Sequence, residues 1–310
     1  MIVKVENLVK RYGDLIALDH LNLEVHKGEI FGLLGPNGSG KTTAINCILS
    51  LLKFDKGNIT VFGKQMAPDA YDIKQNIGIV MQDVAVFDEL TVYENIDYFC
   101  GLYVKDKSKR KLLVEEALDF VKLTEYKKFY PKKLSGGLLR RLNIACGIAH
   151  KPQLIILDEP TVAVDPQSRN KILEGIVELN KNGATIIYTS HYMEEIEQIC
   201  SRIVILDNGK EIASGTKEEL KNMISVGEKI TVEVYGISDA QLNKLESMDS
   251  ISAVDFDGTS LTIRSKQNKN NLEKILEFIK TENINIGKIY TELPTLNDVF
   301  LEITGKELRD

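Results

Sequence analysis

Residues Gly35 to Thr43 read GPNGSGKTT and fit the pattern G-x-x-x-x-G-K-[ST]. The four fixed positions of this pattern are Gly35, Gly40, Lys41 and Thr42. Residues 29–34 before the stretch form an apolar run of strand length, and the apolar residues after it recur at helical spacing. A strand, a glycine-rich loop and a helix in this order bind phosphate. The sequence therefore predicts an α/β protein with a P-loop.

The composition of the loop gives each part a chemical role. Glycines let backbone N–H groups turn toward a phosphate, and the helix N-terminus adds the positive end of its dipole. Lys41 would reach the β- and γ-phosphates, Thr42 would offer its hydroxyl to Mg²⁺, and Thr43 would touch the α-phosphate. The expected nucleotide-binding residues of the loop are Gly35, Pro36, Asn37, Gly38, Ser39, Gly40, Lys41, Thr42 and Thr43. A dinucleotide G-x-G-x-x-G loop is excluded, and a purely structural glycine-rich turn is the alternative.

Length and composition favour an ordinary globular protein of about two domains. The 310 residues are 43% apolar and 27% charged, and the net charge of -6 gives no basic surface for wrapping nucleic acid. The N-terminus does not resemble a signal peptide, and no window is apolar enough to span a membrane. Four cysteines, at positions 47, 100, 146 and 200, lack zinc-site spacing and are expected to be buried thiols in a reducing compartment.

Two isolated residues are further candidates for nucleotide contacts. Tyr12 stands beside a turn after the first strand, where its ring would stack on an adenine. For the residue taken alone packing is the favoured role, and it is the phosphate loop downstream that favours stacking. Gln82 follows a predicted strand over 76–82, and its side-chain oxygen would complete a Mg²⁺ shell. A solvated glutamine is the alternative for Gln82.

The pattern becomes helical from Asp83 onward and indicates an inserted helical lobe over about 83–145. The lobe ends in LSGG, where Ser135 is a natural N-cap and two glycines, Gly136 and Gly137, open a helix that an anion can approach closely. A simple helix start is the alternative for this segment. Residues 153–159 then form a buried strand that ends in Asp158 and Glu159, as a parallel sheet places carboxylates at its ligand-binding edge.

Together these motifs resemble the ATP-binding cassette family, the ATPase subunits of membrane transporters, over about residues 1–220. GPNGSGKTT is similar to its Walker A motif, LIILDE to its Walker B motif with the catalytic glutamate, and LSGG to its signature. Gln82 stands at the Q-loop position, Tyr12 at the adenine-stacking position and His191 at the switch-histidine position. The segments PTVAVDPQSR and PTLNDVFLEITG resemble the bacterial subfamily that serves drug, sodium, lipid and polysaccharide exporters.

The resemblance implies a mechanism for ATP hydrolysis in which Lys41 holds phosphates and Glu159 orients and deprotonates the attacking water. His191 would contact the γ-phosphate and couple it to Asp165. The implied ligands of Mg²⁺ are Thr42, Gln82 and Asp158. The signature residues Ser135, Gly136 and Gly137 of a second subunit would complete each site, so that two ATP molecules lie within a head-to-tail homodimer.

The sequence departs from the family pattern at two positions. Ala163 stands where the family usually has glycine before the aspartate of the D-loop, and an alanine restricts the backbone there. Leu138 follows the signature glycines where many members have a polar residue. Neither change removes a charged or catalytic group, so the expected effect is on fine tuning and not on hydrolysis.

A second domain is expected over residues 229–310, after an ATPase domain over residues 1–222. Its apolar pattern, with an Asp257-Gly258 hairpin turn, gives the order β-α-β-β-α-β of a small ferredoxin-like module. The pattern contains no catalytic constellation. Regulation, support of the dimer and substrate sensing are the roles left open for this domain.

The leading hypothesis is the ATPase subunit of an exporter, located in the cytoplasm on the inner face of the membrane. It would work with a separate membrane-spanning permease that docks, by analogy with the family, on the segment from Gln82 through Phe87 and Leu90. One alternative is a soluble cassette ATPase that acts on ribosomes or nucleic acid. Another is a nucleotide-binding regulator that does not hydrolyse ATP, against which the intact catalytic motifs argue.

Overall fold

The computed structural model describes residues 1–224, 226–266 and 271–305. The chain forms two compact units, the first spanning Met1–Thr216 and the second beginning at Lys217. Residues 267–270 and 306–310 of the expected second domain lie outside the described residues.

The first unit contains ten strands and seven α-helices. Its strands are β1 (Val3–Tyr12), β2 (Leu15–Val25), β3 (Ile30–Leu34), β4 (Lys56–Val61), β5 (Lys64–Gln65), β6 (Ile77–Val80), β7 (Leu154–Asp158), β8 (Thr185–Ser190), β9 (Arg202–Asp207) and β10 (Lys210–Gly215). Its helices are α1 (Lys41–Ile48), α2 (Tyr71–Lys74), α3 (Val92–Gly101), α4 (Lys107–Phe120), α5 (Gly136–Ile148), α6 (Pro166–Lys181) and α7 (Met193–Ile199).

A six-stranded sheet in the order β10-β9-β3-β8-β7-β6 forms the centre of this unit. Strands β9, β3, β8, β7 and β6 are parallel neighbours, and only β10 pairs in the antiparallel sense. Every residue of β3, β7 and β8 is buried, which explains their continuous apolar sequences. The parallel arrangement brings the carboxyl ends of β3, β8, β7 and β6 to one edge, where the chain leaves toward the four predicted motifs.

A second, antiparallel sheet in the order β2-β1-β4-β5 lies against the same core. Val3 and Ile59 from this sheet share one apolar cluster with Phe31 and Leu154 of the central sheet and with Ile45 of α1. The strands extend further than the alternating pattern predicts, since β1 pairs with β2 up to Tyr12 opposite Leu15. Tyr12 is therefore the last residue of a strand and not part of a loop.

Helices α3, α4 and α5 contact one another and form the helical lobe. Each begins at a side-chain cap, in agreement with the residue types at these positions: Thr91 in a capping box with Glu94, Asp106, and Ser135. Helix α5 continues to Ile148, beyond the expected lobe, and packs on β6. The lobe is thus joined to the central sheet through α5.

Helix α5 approaches β6 at two glycines. A Cβ atom on Gly147 would lie 2.6 Å from the Ile79 carbonyl oxygen, and one on Gly78 would lie 2.5 Å from the Gly147 carbonyl oxygen. Main chain therefore packs directly on main chain at this crossing, and neither residue can gain a side chain without a shift.

The second unit contains the remaining strands and helices of the described chain. They are α8 (Lys217–Asn222), β11 (Val226–Val234), α9 (Asp239–Glu246), β12 (Ile251–Phe256), β13 (Ser260–Lys266), α10 (Leu272–Thr281), β14 (Ile286–Glu292) and α11 (Leu296–Thr304). The antiparallel sheet has the order β12-β13-β11-β14. From β11 to β14 the chain follows β-α-β-β-α-β, and the predicted ferredoxin-like module is confirmed.

Local features of the second unit follow from its sequence. Asp257 Oδ1 accepts hydrogen bonds from the backbone N–H groups of Thr259 and Ser260 and closes the hairpin turn between β12 and β13. Helix α11, which carries the apolar residues of the C-terminal motif, packs against α8. The unit consequently begins at Lys217, whereas the sequence pattern predicts that the ATPase domain ends at residue 222.

All four cysteines are buried. Burial raises the pKa of the Cys47 thiol to about 11 and raises that of Cys146 further. Among residues 1–224, 226–266 and 271–305, no helix combines the length and the apolar content needed to cross a bilayer.

The close packing of α5 on β6 can be tested by substituting alanine for Gly147 on α5 and, as a control, for Gly175 on α6. Gly147→Ala should lower the free energy of unfolding by about 1–3 kcal/mol, because the new methyl group meets main chain. Gly175→Ala on α6 should be neutral or stabilising by up to about 1 kcal/mol, because its Cβ would lie 3.6 Å from Phe120 Cζ in ordinary contact. Urea unfolding followed by far-UV circular dichroism measures both, and equal effects would contradict the close packing of α5 on β6.

Candidate active site

The carboxyl edge of the central sheet gathers most of the residues that the sequence singles out. The glycine-rich loop follows β3, Asp158 ends β7 and Glu159 follows it, and His191 follows β8. Register places Leu34 beside Ser190 and Asp158 beside Thr189, so these strand ends lie next to one another. Ligands of open α/β sheets bind outside this edge.

Lys41 is buried within the glycine-rich loop. Its Nζ donates hydrogen bonds to the carbonyl oxygens of Gly35 at 2.8 Å and Pro36 at 3.2 Å. The same Nζ lies 3.1 Å from Glu159 Oε1, with 4% of the Lys41 side chain and 6% of the Glu159 side chain exposed. A buried cation and a buried carboxylate are thus paired at the mouth of the loop, which satisfies both charges.

Asp158 is fully buried and holds two hydroxyl groups. Its Oδ2 accepts a hydrogen bond from Thr42 Oγ1 at 2.8 Å, and its Oδ1 accepts one from Thr189 Oγ1 at 2.6 Å. The Thr189 hydroxyl oxygen in turn accepts a hydrogen bond from the Glu159 N–H at 2.9 Å. Thr189 therefore orients both acidic residues, although the sequence pattern did not single it out.

Glu159 occupies an unusual backbone conformation. Its φ of 47° lies in the left-handed region, which costs a non-glycine residue free energy and is found at functional sites. Its Oε2 lies 3.2 Å from His191 Nδ1, while its Oε1 faces Lys41. The carboxylate is thus held between an ammonium and an imidazole.

Arg140 on α5 reaches the same edge from the helical lobe. Its guanidinium is buried and donates to main-chain carbonyl oxygens that include those of Glu159 and Gln82, each at 2.7 Å. Burial lowers the pKa of this guanidinium, and the nearby acidic groups partly offset that effect. Sequence reasoning missed this residue, because Arg140-Arg141 in a helix is typical of a solvated face.

Glu195 forms a second buried polar cluster beside His191. Its Oε2 accepts hydrogen bonds from the hydroxyl groups of Thr161 at 2.8 Å, Tyr188 at 2.7 Å and Ser190 at 2.9 Å. Desolvation and this carboxylate raise the pKa of Tyr188 well above its ordinary value. The Ser190 hydroxyl oxygen also accepts the Tyr192 N–H at 2.9 Å, which fixes the turn that carries His191.

The signature residues form a separate group with the D-loop. Ser135 and Gly136 are exposed at the N-terminus of α5, whereas Gly137 is buried. A Cβ on Gly137 would lie 2.5 Å from Ser168 Oγ at the start of α6. Asp165 caps α6 by accepting the Ser168 N–H at 2.9 Å, and this bond lowers the pKa of its carboxyl group. The N-termini of α5 and α6 therefore pack closely together.

Two predicted residues lie at the periphery of the site. Tyr12 is 49% exposed, and the Lys10 ammonium lies 4.9 Å from its ring centroid. The Gln82 side chain is exposed, and its main chain is tied to the site through Arg140. Among the described residues, neither side chain forms a hydrogen bond or an ion pair with Lys41 or Glu159.

The residues present fit a magnesium nucleotide by their chemistry. Thr42 and Asp158 offer adjacent hydroxyl and carboxylate oxygens, the hard ligands that Mg²⁺ takes when phosphates supply the rest of its shell. In the described part of the chain, the buried Ser39 Oγ within the loop has no hydrogen-bond partner. The Ser39 hydroxyl group can therefore donate a hydrogen bond to a ligand or accept one from it. No group of three or more His, Cys, Asp or Glu side chains among these described residues is arranged to hold a metal by itself.

Comparison with known proteins identifies the family to which this site belongs. The family model described as "ABC transporter" matches residues 18–162, and a second, "ATP-binding protein DrrA1-3-like, C-terminal domain", matches residues 215–304. The linearmycin resistance ATP-binding protein LnrL of Bacillus subtilis (strain 168) is 40% identical over 311 residues, covering 100% of both chains. The chain belongs to the ABC transporter family. The resemblance expected from its motifs is confirmed.

Other relatives of this ABC protein extend over nearly the whole chain. The daunorubicin resistance ATP-binding protein DrrA2 of Streptomyces coeruleorubidus is 33% identical, covering 98% of this chain and 95% of the relative. The Nod factor export ATP-binding protein I of Ralstonia nicotianae (strain ATCC BAA-1114 / GMI1000) is 33% identical, covering 100% and 95%. This ABC protein is thus similar to exporter-type subunits, and the ribosome or nucleic-acid alternative is not favoured.

Solved structures support the same fold for the first unit. An ATP-binding subunit of an ABC transporter superposes with a TM-score of 0.66 at 26% identity, covering 72% of this chain and 93% of that one. A dimeric ATP-binding cassette in a post-hydrolysis state with ADP and Pi gives 0.64 at 28% identity, covering 69% and 98%. This ABC protein is an ATP-binding and ATP-hydrolysing subunit, and the predicted P-loop α/β fold is confirmed.

Ala163 stands in the D-loop where the family usually has glycine, and its backbone takes the conformation that glycine prefers. Its φ of 58° is left-handed, the conformation for which glycine at this position would carry no penalty. Ala163→Gly should therefore raise the free energy of unfolding by up to about 1 kcal/mol. Ala117→Gly within α4 is the control and should lower it by about 1 kcal/mol. Urea unfolding compares the two, and a similar loss in both would show that Ala163 carries no strain.

Proposed function

We propose that ATP is bound and hydrolysed at the edge formed by β3, β7 and β8, with Glu159 as the base for the attacking water. The observation that carries this proposal is the Glu159 carboxylate held between Lys41 Nζ at 3.1 Å and His191 Nδ1 at 3.2 Å. Phosphoryl transfer requires positioning and charge neutralisation more than covalent chemistry, and this group supplies both.

The glycine-rich loop binds the phosphates. The first N–H groups of α1 have no acceptor within their helix and point toward the loop, and the helix dipole favours an anion there. Lys41 contributes a positive charge that the loop carbonyls and Glu159 hold in place. At the periphery, the exposed ring of Tyr12 offers an apolar face for the adenine.

Thr42, Asp158 and Gln82 are the residues that hold Mg²⁺ with the nucleotide. The bound ion supplies charge neutralisation at the β- and γ-phosphates. Asp158 accepts hydrogen bonds from Thr42 and Thr189 and is thereby held in one orientation. Gln82, which follows β6, would offer its side-chain oxygen to the same ion.

Glu159 removes the proton from the attacking water, and His191 contacts the γ-phosphate. Glu159 has a left-handed backbone, and its side chain contacts Lys41 and His191 within the site. The Ser190 hydroxyl, fixed by Glu195, holds the turn on which His191 lies. His191 is thereby placed without depending on the substrate.

A second copy of the chain completes the site through its signature segment. Ser135 and Gly136 at the N-terminus of α5 are exposed. The space beside Gly136 is accessible to a ligand, since a Cβ on this residue would meet only the Ala163 carbonyl oxygen, at 3.9 Å. Such a helix N-terminus binds a phosphate of the facing subunit. Asp165, capping the adjacent helix, lies at the same surface and would contact the facing His191 region. Two-fold symmetry then gives two identical ATP sites.

A membrane-spanning permease docks on the segment after β6. Val84 and Phe87 of this segment are exposed, and so are the neighbouring aromatic residues Tyr98 and Tyr103. A cavity of about 260 Å³ opens between this segment and α5, lined by residues that include Phe99 and Leu102. An exposed apolar patch of this kind marks a protein interface.

Export across the cell membrane, from the cytoplasmic face, is the function that fits these parts. The support comes from relatives that cover almost the whole chain and are named for drug resistance and Nod factor export. The exported substrate contacts the permease and not this chain, so the class of substrate is a property of the partner.

Removal of the Glu159 carboxylate tests the catalytic assignment. Glu159→Gln should reduce the turnover number for ATP about 10²- to 10⁴-fold, because an amide cannot accept the proton of the water. Binding of a fluorescent ATP analogue should persist, since the phosphate loop is unchanged. Glu194→Gln, at an exposed position of α7, is the matched control and should keep wild-type turnover. Full activity of Glu159→Gln would refute the role of Glu159.

An acidic substitution in the exposed patch tests the docking surface. Phe87→Asp should reduce recovery of a membrane-spanning chain with the tagged protein at least about tenfold, because a charge then faces an apolar interface. Tyr71→Asp is the control, since Tyr71 is 74% exposed and lies on α2 outside the patch. Co-purification from detergent-solubilised membranes, with circular dichroism to verify folding, gives the result. Equal recovery of the partner with both variants would place the interface elsewhere.

A further inference from the structure

Arg140 is a buried cation near the site whose guanidinium donates four hydrogen bonds to main-chain carbonyl oxygens. Its Nε donates to the Pro160 carbonyl oxygen at 2.6 Å and its NH2 group to that of Glu159 at 2.7 Å. Its NH1 group donates to the carbonyl oxygens of Gln82 at 2.7 Å and Met81 at 3.1 Å. Only 3% of the residue is exposed, so its planar guanidinium bonds these four protein acceptors and not solvent.

The four acceptors belong to two segments that leave neighbouring strands. Met81 and Gln82 follow β6, whereas Glu159 and Pro160 follow β7, and the two strands pair in parallel up to Val80 and Leu157. Beyond that point the ladder of strand pairing ends. The guanidinium replaces the missing ladder by bonding both segments at once, from a helix of the lobe.

The Glu159 bond is important because that residue is strained. A left-handed φ of 47° persists only where the surroundings fix the backbone from several sides. The Thr189 carbonyl and hydroxyl oxygens accept the Glu159 N–H, and Arg140 binds the Glu159 carbonyl oxygen. Both ends of the strained residue are thereby anchored, one by β8 and the other by α5.

We propose that Arg140 is a positioning residue for ATP hydrolysis, which holds the main chain of Glu159 in its active conformation and links it to the segment that begins at Gln82. A shift of that segment or of α5 moves the catalytic carboxylate. The inference rests on the proposed role of Glu159 as the base. It adds a physical link between the permease-docking segment and the chemistry.

Arg141, the next residue of α5, provides a matched control. Its NH1 group donates to the Val121 carbonyl oxygen at 3.1 Å, within the lobe. The substitution of arginine by lysine keeps the charge and the long apolar stem at either position, but an ammonium cannot form the fork that reaches two segments. Only the change at position 140 disturbs Glu159.

Steady-state kinetics of the full chain distinguish the two arginines. Arg140→Lys should lower the turnover number for ATP about 10- to 100-fold, as a small displacement of a catalytic group does. The KM for ATP should stay within about threefold, because the phosphate loop is not touched. Arg141→Lys should keep wild-type kinetics. Unchanged turnover of Arg140→Lys, or a loss confined to KM, would overturn the proposal.

The Glu159→Gln background tests whether Arg140 acts through Glu159. If it does, Arg140→Lys should reduce the residual rate of Glu159→Gln by less than about threefold, because the group that it positions is already lost. An equal fold loss in both backgrounds would overturn the proposal. If Glu159→Gln itself kept full activity, the assignment of the base would fail instead, so the two failures are distinguishable.

Hydrogen exchange provides a readout that does not depend on activity. In Arg140→Lys, peptides covering 81–87 and 159–164 should exchange faster together, while peptides from β3 and α1 keep wild-type protection. If Arg140→Lys does not fold by circular dichroism, Arg140→Gln, which keeps an amide donor for one segment, replaces it in all three measurements. Unchanged exchange in both segments of a folded variant would overturn the link.

Discussion

The buried carboxylate of Asp158 is the contact on which the geometry of this site depends. It joins the helix that follows the glycine-rich loop, through Thr42, to the adjacent strand β8, through Thr189. A fully buried carboxylate requires such partners, because an unpaired charge in the interior is costly. The same threonine fixes the N–H of Glu159. These hydrogen bonds fix the positions of the polar residues that follow or end β3, β7 and β8 relative to one another.

The short segment that follows β7 contains two non-glycine residues with strained backbones. Glu159 and Ala163 both have left-handed backbones, at φ values of 47° and 58°. Between them, Thr161 donates to the buried carboxylate of Glu195, and Pro160 accepts from Arg140. The surrounding hydrogen bonds stabilise a conformation that the residue types by themselves disfavour. This segment also leads directly to Asp165 at the start of α6, so the proposed base and a residue of the proposed subunit interface lie on one loop.

Helix α5 connects the helical lobe to the central sheet. That helix begins with the exposed signature residues, carries Arg140 into the interior, and ends where Gly147 packs on β6. Helix α5 therefore contacts three parts of the molecule: the proposed surface for a second subunit, the segment after β6 that is proposed to dock the permease, and Glu159, the proposed base. A shift of this helix would affect several sites together, because a helix moves as a unit.

The second unit has its own core, centred on residues such as Ile230 and Ile263.

The sequence alone determined the fold family, the order of the motifs and the ferredoxin-like module, because these depend on local patterns. Glycines at fixed spacing, apolar runs of strand length and capping residues indicate their structures without long-range information. Tertiary structure alone revealed Thr189, Glu195 and Arg140 as parts of the site. Arg140 binds carbonyl groups 20 and 58 residues away in the sequence, at Pro160 and Gln82. Main-chain acceptors have no side-chain signature, so only the folded chain could show why this arginine is buried.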